Sequence, residues 1–92
     1  MTTIIQSVRF KKAYKKLHSN QLPEVNKAIN DIIENPDIGV QKTVNLSWLR
    51  VYKFKVLKQL TLLGYTVHKN GDVILTMIDL GSHENFYRDI SR

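Results

Sequence analysis

The chain changes its hydrophobic period once, and this change limits the folds open to it. In the first third, apolar side chains recur every three to four residues, as on one face of a helix. From Trp48 onward they alternate with polar side chains, as on a strand with one buried face. Two helices followed by three strands are therefore predicted. This order is typical of α+β proteins with an antiparallel meander.

Two amphipathic helices are predicted before residue 35. The first covers residues 7–18, where Phe10, Tyr14 and Leu17 fall in one apolar stripe. The second runs from Pro23 to Glu34, and the short segment between the two allows an antiparallel helical hairpin. The residues that mark the ends of these helices are Ser7 as an N-cap, Pro23 in a first turn and Asn35-Pro36 as a stop.

Three strands are predicted after the helices. They cover Trp48–Val56, residues 59 or 60 to 68, and Val73–Leu80, and Asn70-Gly71 between the last two is a strong hairpin signal. Ile4-Ile5 is a further candidate for a short strand. A sheet of three or four strands needs cover on one face, which the helical hairpin would supply, leaving the other face open. The 92 residues are expected to form a single domain, 1–92.

The charge of the chain is high and unevenly distributed. The net charge is +6, and residues 1–22 and 50–58 carry basic side chains without an acid, whereas residues 23–37 hold four acids and one lysine. This segregation favours a basic face that binds a polyanion. The alternative is a surface that is basic only for solubility.

Several classes of protein are excluded by what the sequence lacks. There is no cysteine, the three histidines do not have metal-ligand spacing, and there is no Gly-rich phosphate loop. No apolar run is long enough for a membrane helix, and the N-terminus does not resemble a signal peptide. The sequence therefore predicts a cytoplasmic protein without metal or cofactor.

Two groups of residues are candidates for chemistry. Lys53 and Lys55 are two apart on a predicted strand and so share a face, with Arg50 and Lys58 beside them, and such a group of cations can hold a phosphate. The alternative is lysines that protect an open strand or sheet face from aggregation, and the strand pattern alone favours it. His83 follows the last strand and is suited to proton transfer near neutral pH, or else is a solvated turn histidine.

The segments RVYKFK (residues 50–55) and GSHENFYRDI (residues 81–90) resemble the toxins of the RelE/ParE superfamily, which belong to type II toxin–antitoxin modules. The resemblance extends over nearly the whole chain and implies a helical hairpin packed on a curved antiparallel sheet. Many members cut mRNA in the ribosomal A site without a metal. In that reaction the ribose 2′-OH attacks the adjacent phosphate and leaves a cyclic phosphate and a free 5′-OH.

The resemblance also implies roles for individual residues. Lys53 and Lys55 match the paired strand lysines of the RelE branch, and His83 and Tyr87 match a histidine and an aromatic residue four positions later in the YafQ-like branch. It implies that His83 is a general acid or base and that Tyr87 stacks on or orients a nucleotide. The implied catalytic set is His83, Lys53, Lys55, Arg50 and Tyr87, and the implied RNA-binding set is Arg50, Lys53, Lys55, Lys58 and Arg88.

The partners implied by the resemblance are a cognate antitoxin and mRNA on the ribosome, with operator DNA bound only through the antitoxin complex. Two alternatives remain, because the same fold serves several functions. One is a ParE-like inhibitor of DNA gyrase without catalysis of its own, although such proteins tend to lack a C-terminal histidine. The other is an inactive toxin relative that acts as a binding module.

Overall fold

The computed structural model describes residues 2–42, 48–82 and 86 of the chain. Within them, the elements are β1 (Thr2–Gln6), α1 (Val8–Lys15), α2 (Leu22–Glu34), β2 (Val40–Gln41), β3 (Arg50–Val56), β4 (Gln59–Asn70) and β5 (Asp72–Ser82). The described strands form one five-stranded sheet in the order β1-β5-β4-β3-β2. Helix α1 lies against β5 and α2 lies against β3, so the predicted α+β fold with a helical hairpin on a sheet is confirmed.

Helix α1 begins where its cap predicts and ends earlier than expected. The Ser7 hydroxyl accepts a hydrogen bond from the Phe10 N–H at 3.1 Å, as an N-cap does. The helix ends at Lys15 rather than at residue 18. The reason is a tightened last turn, in which the Leu17 N–H donates to the Tyr14 carbonyl, three residues back.

Helix α2 lies within one residue of its predicted bounds. It has no side-chain N-cap, and Pro23 occupies its first turn, where a missing N–H leaves no bond unmade. At its end, Asn35 leaves the helical region with φ −140° and ψ 87° because Pro36 follows.

The sheet has one more strand than the upper predicted number and is mixed rather than purely antiparallel. β1 pairs in parallel with β5, with Ile4 opposite Leu75, while β2 adds two residues at the other edge. All five β1 residues are exposed, so no face of this strand is buried. Its sequence accordingly lacks the alternation of apolar and polar residues that predicts a strand. The β4–β5 hairpin is as predicted, and Gly71 supplies its positive φ of 83°.

A bulge in β5 joins the start of α1 to the sheet. Gly64 pairs with Asp79 and Tyr65 pairs with Met77, which leaves Ile78 without a cross-strand partner. The Ser7 hydroxyl donates to the Ile78 carbonyl, and the Ser7 N–H donates to the Met77 carbonyl at 2.9 Å. The first turn of α1 is thereby fixed over the middle of β5.

The two faces of the sheet carry apolar clusters of different size. The larger lies under the helices, and its buried members are Phe10, Val25, Ile32, Val56, Leu63, Tyr65, Leu75, Met77 and Leu80. The smaller lies on the opposite face, and its buried members are Leu49, Val51, Leu62 and Phe86. Among the described residues, apolar side chains cover this second face around these four positions, whereas Lys53 and Lys55 farther along β3 are exposed.

Candidate RNA-binding face

Lys53 and Lys55 project from the face of the sheet that the helices leave uncovered. Their neighbours Tyr52 and Phe54 point toward α2, with ring centroids 5.8 Å apart, and the Tyr52 hydroxyl donates to Asp31 at 3.1 Å. Because side chains alternate along a strand, this packing turns both lysines to the other side. Both lysines are exposed. The predicted sharing of one face is confirmed.

Leucines, not acids, lie directly across the sheet from these two lysines. Across the sheet, Lys53 lies opposite Leu62 and Lys55 lies opposite Leu60. In the described part of the chain, neither lysine takes part in an ion pair. Their ammonium groups can therefore meet an incoming anion without breaking an existing pair, which is the property a phosphate-binding surface needs.

Lys58 lies in the turn that links β3 and β4. Leu57 and Lys58 both have positive φ, 50° and 70°, as the two central residues of a tight hairpin turn do. The Leu57 N–H donates to the Glu24 carboxylate at 3.2 Å, which ties the turn to α2. Together with Lys55, Lys58 lines a cavity of about 430 Å³ between α2 and β3, whose lining also includes the acids Glu24 and Asp31. Lys58 thus adds a cation at the end of β3, close to the acidic side chains of α2.

Arg50 lies on the face of β3 that also carries Tyr52, so the structure does not bring it together with the lysine pair. Its guanidinium donates to the Gly39 carbonyl at 2.6 Å and to the Asp37 carbonyl at 3.2 Å. It also lies 3.5 Å from the Asp37 carboxylate. In this position Arg50 holds the segment between α2 and β2 against the sheet.

Tyr65 also holds the segment between α2 and β2, through its hydroxyl group. This role was not predicted from the sequence. Its buried hydroxyl donates to the Pro36 carbonyl at 2.7 Å and accepts from the Gly39 N–H at 2.9 Å. A Cβ at Gly39 would lie 2.7 Å from this oxygen, so only glycine fits there. Burial, above all other causes, raises the pKa of Tyr65.

His83, Tyr87 and Arg88 lie outside the described residues, but Phe86 is described. Phe86 is 1% exposed and packs on the uncovered face beside Leu49 and Leu62. A Cβ at Gly64 would lie 2.6 Å from the Phe86 ring, so the glycine makes the room that the ring fills. A glycine inside a strand is the one sequence signal for this contact.

Ser82 is the last described residue before His83, and its register places it near the lysines. Ser82 pairs with Thr61, and Thr61 pairs with Phe54, which lies between Lys53 and Lys55. The end of β5 is therefore level with the lysine pair, two strands away. Among the described residues, no His, Asp or Glu cluster could hold a metal ion, and no helix is long and apolar enough to span a membrane.

The described residues thus form a small α+β protein with a helical hairpin on one face of the sheet and an exposed lysine pair on the other. Residues 4–91 match the family described as ParE-like toxin of type II bacterial toxin-antitoxin system, and the chain belongs to that family. No curated protein matches the chain.

Three solved structures share the fold. A chain of the intact E. coli RelBE toxin–antitoxin complex is 24% identical, with a TM-score of 0.66 over 87% of this chain and 94% of that one. A double mutant of the E. coli toxin RelE bound to an antitoxin RelB peptide is 20% identical, with a TM-score of 0.69 over 99% and 94%. The same mutant in the free state is 22% identical, with a TM-score of 0.66 over 98% and 95%. These likenesses support the fold.

Proposed function

We propose that this toxin is a ribosome-dependent mRNA endoribonuclease that inhibits translation and growth in the cytoplasm. The observation that supports the proposal is the pair of exposed ammonium groups, Lys53 and Lys55, on the uncovered face of the sheet. Phe86 is buried on that same face, three residues after His83 and one before Tyr87. An RNA strand on this face would meet two ammonium groups that make no ion pair in the described part of the chain.

The proposed reaction transfers a phosphoryl group within the RNA. The ribose 2′-oxygen forms a bond to phosphorus while the bond to the 5′-oxygen breaks, so a cyclic phosphate and a 5′-hydroxyl result. His83 removes the 2′-proton or protonates the leaving oxygen. Lys53 and Lys55 stabilise the negative charge that builds on the phosphate oxygens, an effect of about 10²–10³-fold per fixed donor in comparable sites. Tyr87 stacks on or orients the nucleotide, and Arg88 is a second phosphate contact.

The register of the sheet supports the proposed meeting of histidine and lysines. His83 is bonded to Ser82, which is level with Phe54 across β4. Two strand spacings correspond to about 10 Å. The long lysine side chains and one bound nucleotide can bridge a gap of this size, and the ribosome would supply part of the RNA positioning.

The proposal includes a cognate antitoxin. RelE, which shares the fold, has been solved with a RelB antitoxin peptide. On this chain, α1 and its C-cap residue expose four lysines without an ion pair in the described part, namely Lys11, Lys12, Lys15 and Lys16. Lysines four apart on a helix repel one another, and an acidic antitoxin segment would relieve that repulsion. Operator DNA would be bound through the toxin–antitoxin complex.

Inhibition of DNA gyrase is the second candidate function, and the family match favours it. The matching family takes its name from ParE. Under this alternative, the basic face would bind a gyrase subunit or its DNA, and no RNA would be cut.

The test is RNA cleavage mapping after induction in cells and in a translation reaction with purified toxin. We expect cuts in translated mRNA, and we expect the His83→Ala variant and the Lys53→Ala/Lys55→Ala variant to cut at least about 100-fold more slowly. The matched control is Lys11→Ala/Lys12→Ala, which removes the same charge from α1. Unchanged cutting by both site variants would refute the assigned site residues, and absence of cutting by the parent toxin would refute the nuclease proposal. Intact mRNA together with DNA cleavage complexes would establish gyrase inhibition instead.

A further inference from the structure

The single tryptophan of the chain is exposed. It lies beside a group of basic side chains that is separate from the lysine pair of β3. Trp48 is 51% exposed, whereas the next residue, Leu49, is fully buried and anchors the chain at this point. Tryptophan is enriched where a protein surface contacts a partner, because it presents a large apolar plane with one polar edge. An indole held in this way offers a stacking surface.

Trp48 lines a cavity of about 560 Å³, within the range of small-ligand sites. Arg50, His68 and Lys69 line the same cavity, as does Gln41. This cavity, which we call the Trp48 cavity, thus combines one aromatic plane with three cationic or hydrogen-bond-donating side chains.

The one acid among the described lining residues is already compensated. The Asp37 carboxylate lies 3.4 Å from the Lys69 ammonium and 3.5 Å from the Arg50 guanidinium. Arg50 is further held by the Gly39 carbonyl at 2.6 Å. Two cations and one acid leave a positive excess in the cavity, and Arg50 is held in place before a ligand arrives. The cavity therefore favours an anionic ligand over a cationic one.

We propose that the Trp48 cavity binds one nucleotide of single-stranded RNA. The indole of Trp48 stacks on the base, which is sequence-tolerant because every base has an aromatic face. Lys69 binds the phosphate, and the His68 imidazole can hydrogen-bond a base edge and give a preference among bases. This inference deepens the proposed RNA-cutting function and rests on it for the source of the RNA.

The position of the cavity determines which nucleotide it would hold. Arg50 in the cavity wall and Lys53 in the proposed cutting site are three residues apart on β3, about 10 Å along the strand. The side chains of Arg50 and Lys53 leave opposite faces of β3, so the nucleotide in the Trp48 cavity would be a different one from the nucleotide that is cut, on the same bound RNA strand.

The test uses a 2′-O-methylated RNA hexamer, which lacks the attacking hydroxyl and so reports binding without cleavage. We expect the hexamer to change the emission of the single tryptophan saturably. By anisotropy of labelled hexamer, Trp48→Ala should bind about 5- to 150-fold more weakly, the range that corresponds to one stacked base. Trp48→Phe should lose less, because it keeps an aromatic ring.

Two further variants keep the test interpretable. Lys69→Ala leaves the tryptophan in place and should weaken binding while the emission change persists. Ile5→Ala is the matched control, because it truncates a similarly exposed apolar side chain, 47% exposed, on the strand at the opposite edge of the sheet. It should bind as the parent does.

The outcomes separate this inference from the nuclease proposal. If Trp48→Ala binds the hexamer as the parent does and saturation leaves the emission unchanged, the inference is overturned, whether or not the toxin cuts mRNA. If duplex DNA or an acidic peptide changes the emission while the hexamer does not, it is overturned as well. If the hexamer binds at Trp48 but no mRNA is cut, the inference stands and the nuclease proposal fails.

Discussion

The two faces of the sheet use the same strands for different purposes. On β3, Tyr52 and Phe54 pack toward α2, whereas Lys53 and Lys55 between them are exposed. The helix-covered face carries the larger apolar cluster, and the uncovered face carries a four-residue cluster that includes Phe86. Since apolar burial is the main favourable contribution to folding, the covered face should provide most of the stability.

The difference in apolar burial between the two faces shows how a small protein can expose cations on a strand and still keep its hydrophobic core. A chain of this length has little apolar surface to spare. Because most apolar burial is confined to one face, the side chains of β3 that point to the other face do not all need to pack in a core. At those positions lysines can bind a ligand. The contribution of each face to stability can be compared by substituting adjacent residues of one strand, which point to opposite faces.

The largest effect is expected at Leu63, compared with its neighbour Leu62. Both are fully buried, but Leu63 belongs to the covered cluster and Leu62 to the four-residue one. Leu63→Ala should lower the free energy of unfolding by about 3–5 kcal/mol, and Leu62→Ala by about 2–3 kcal/mol, because the smaller cluster can collapse more easily onto the gap. Urea unfolding at equilibrium measures both. Equal losses would show that the uncovered face is packed as firmly as the covered one.

The next effect concerns Tyr65, whose hydroxyl holds the segment that follows α2. Tyr65→Phe should lower the free energy of unfolding by about 1–3 kcal/mol, because the Pro36 carbonyl and the Gly39 N–H lose their partner in a buried place. The ring itself keeps its packing. Leu57→Ala, an exposed apolar position with no such bond from its side chain, is the control and should change stability little.

The pH dependence of stability gives a second readout of Tyr65. Burial raises its pKa above the usual 10.0, so the unfolded chain releases the phenol proton first as the pH rises. The associated stability is fully present below pH 10 and is lost as the pH rises from 10 toward the raised pKa. Tyr65→Phe should flatten this alkaline loss in part. Tyr52, whose pKa is also raised, first by burial and then by Asp31, should account for a remainder. An unchanged alkaline profile in Tyr65→Phe would contradict this assignment.

Much of the fold could be predicted because individual residues determine where its helices and turns begin and end. Ser7 capped α1, Pro36 ended α2 and Gly71 turned the last hairpin, each through its own backbone preference. The parallel pairing of β1 with β5 could not be predicted in the same way. It joins residues about seventy positions apart, and Ile4 and Ile5 show no alternation that would indicate their partner.

The candidate site was predictable to a similar extent. The spacing of Lys53 and Lys55 gave their common face, because the strand period decides it. The same period placed Arg50 on the other face, where long-range bonds to Asp37 and Gly39 engage it. The contact of Phe86 with Gly64 depends on two distant segments meeting, and periodicity holds no information about such a meeting. The roles of His83, Tyr87 and Arg88 stay predictions.

The smallest effect on stability is expected at the lysine pair. Lys53→Ala/Lys55→Ala should change the free energy of unfolding by no more than about 0.5 kcal/mol, since both side chains are exposed and have no ion pair in the described part of the chain. If the pair serves only to protect an open face, the variant should aggregate in light scattering while RNA cutting is kept. If it serves the phosphate, Lys53→Gln/Lys55→Gln should stay as soluble as the parent and still lose cutting, because glutamine keeps the polarity and removes the charge. A loss of more than about 1.5 kcal/mol would instead mean that the uncovered face contributes to the core, and the division of the sheet into a stabilising and a functional face would fail at the residues that define it.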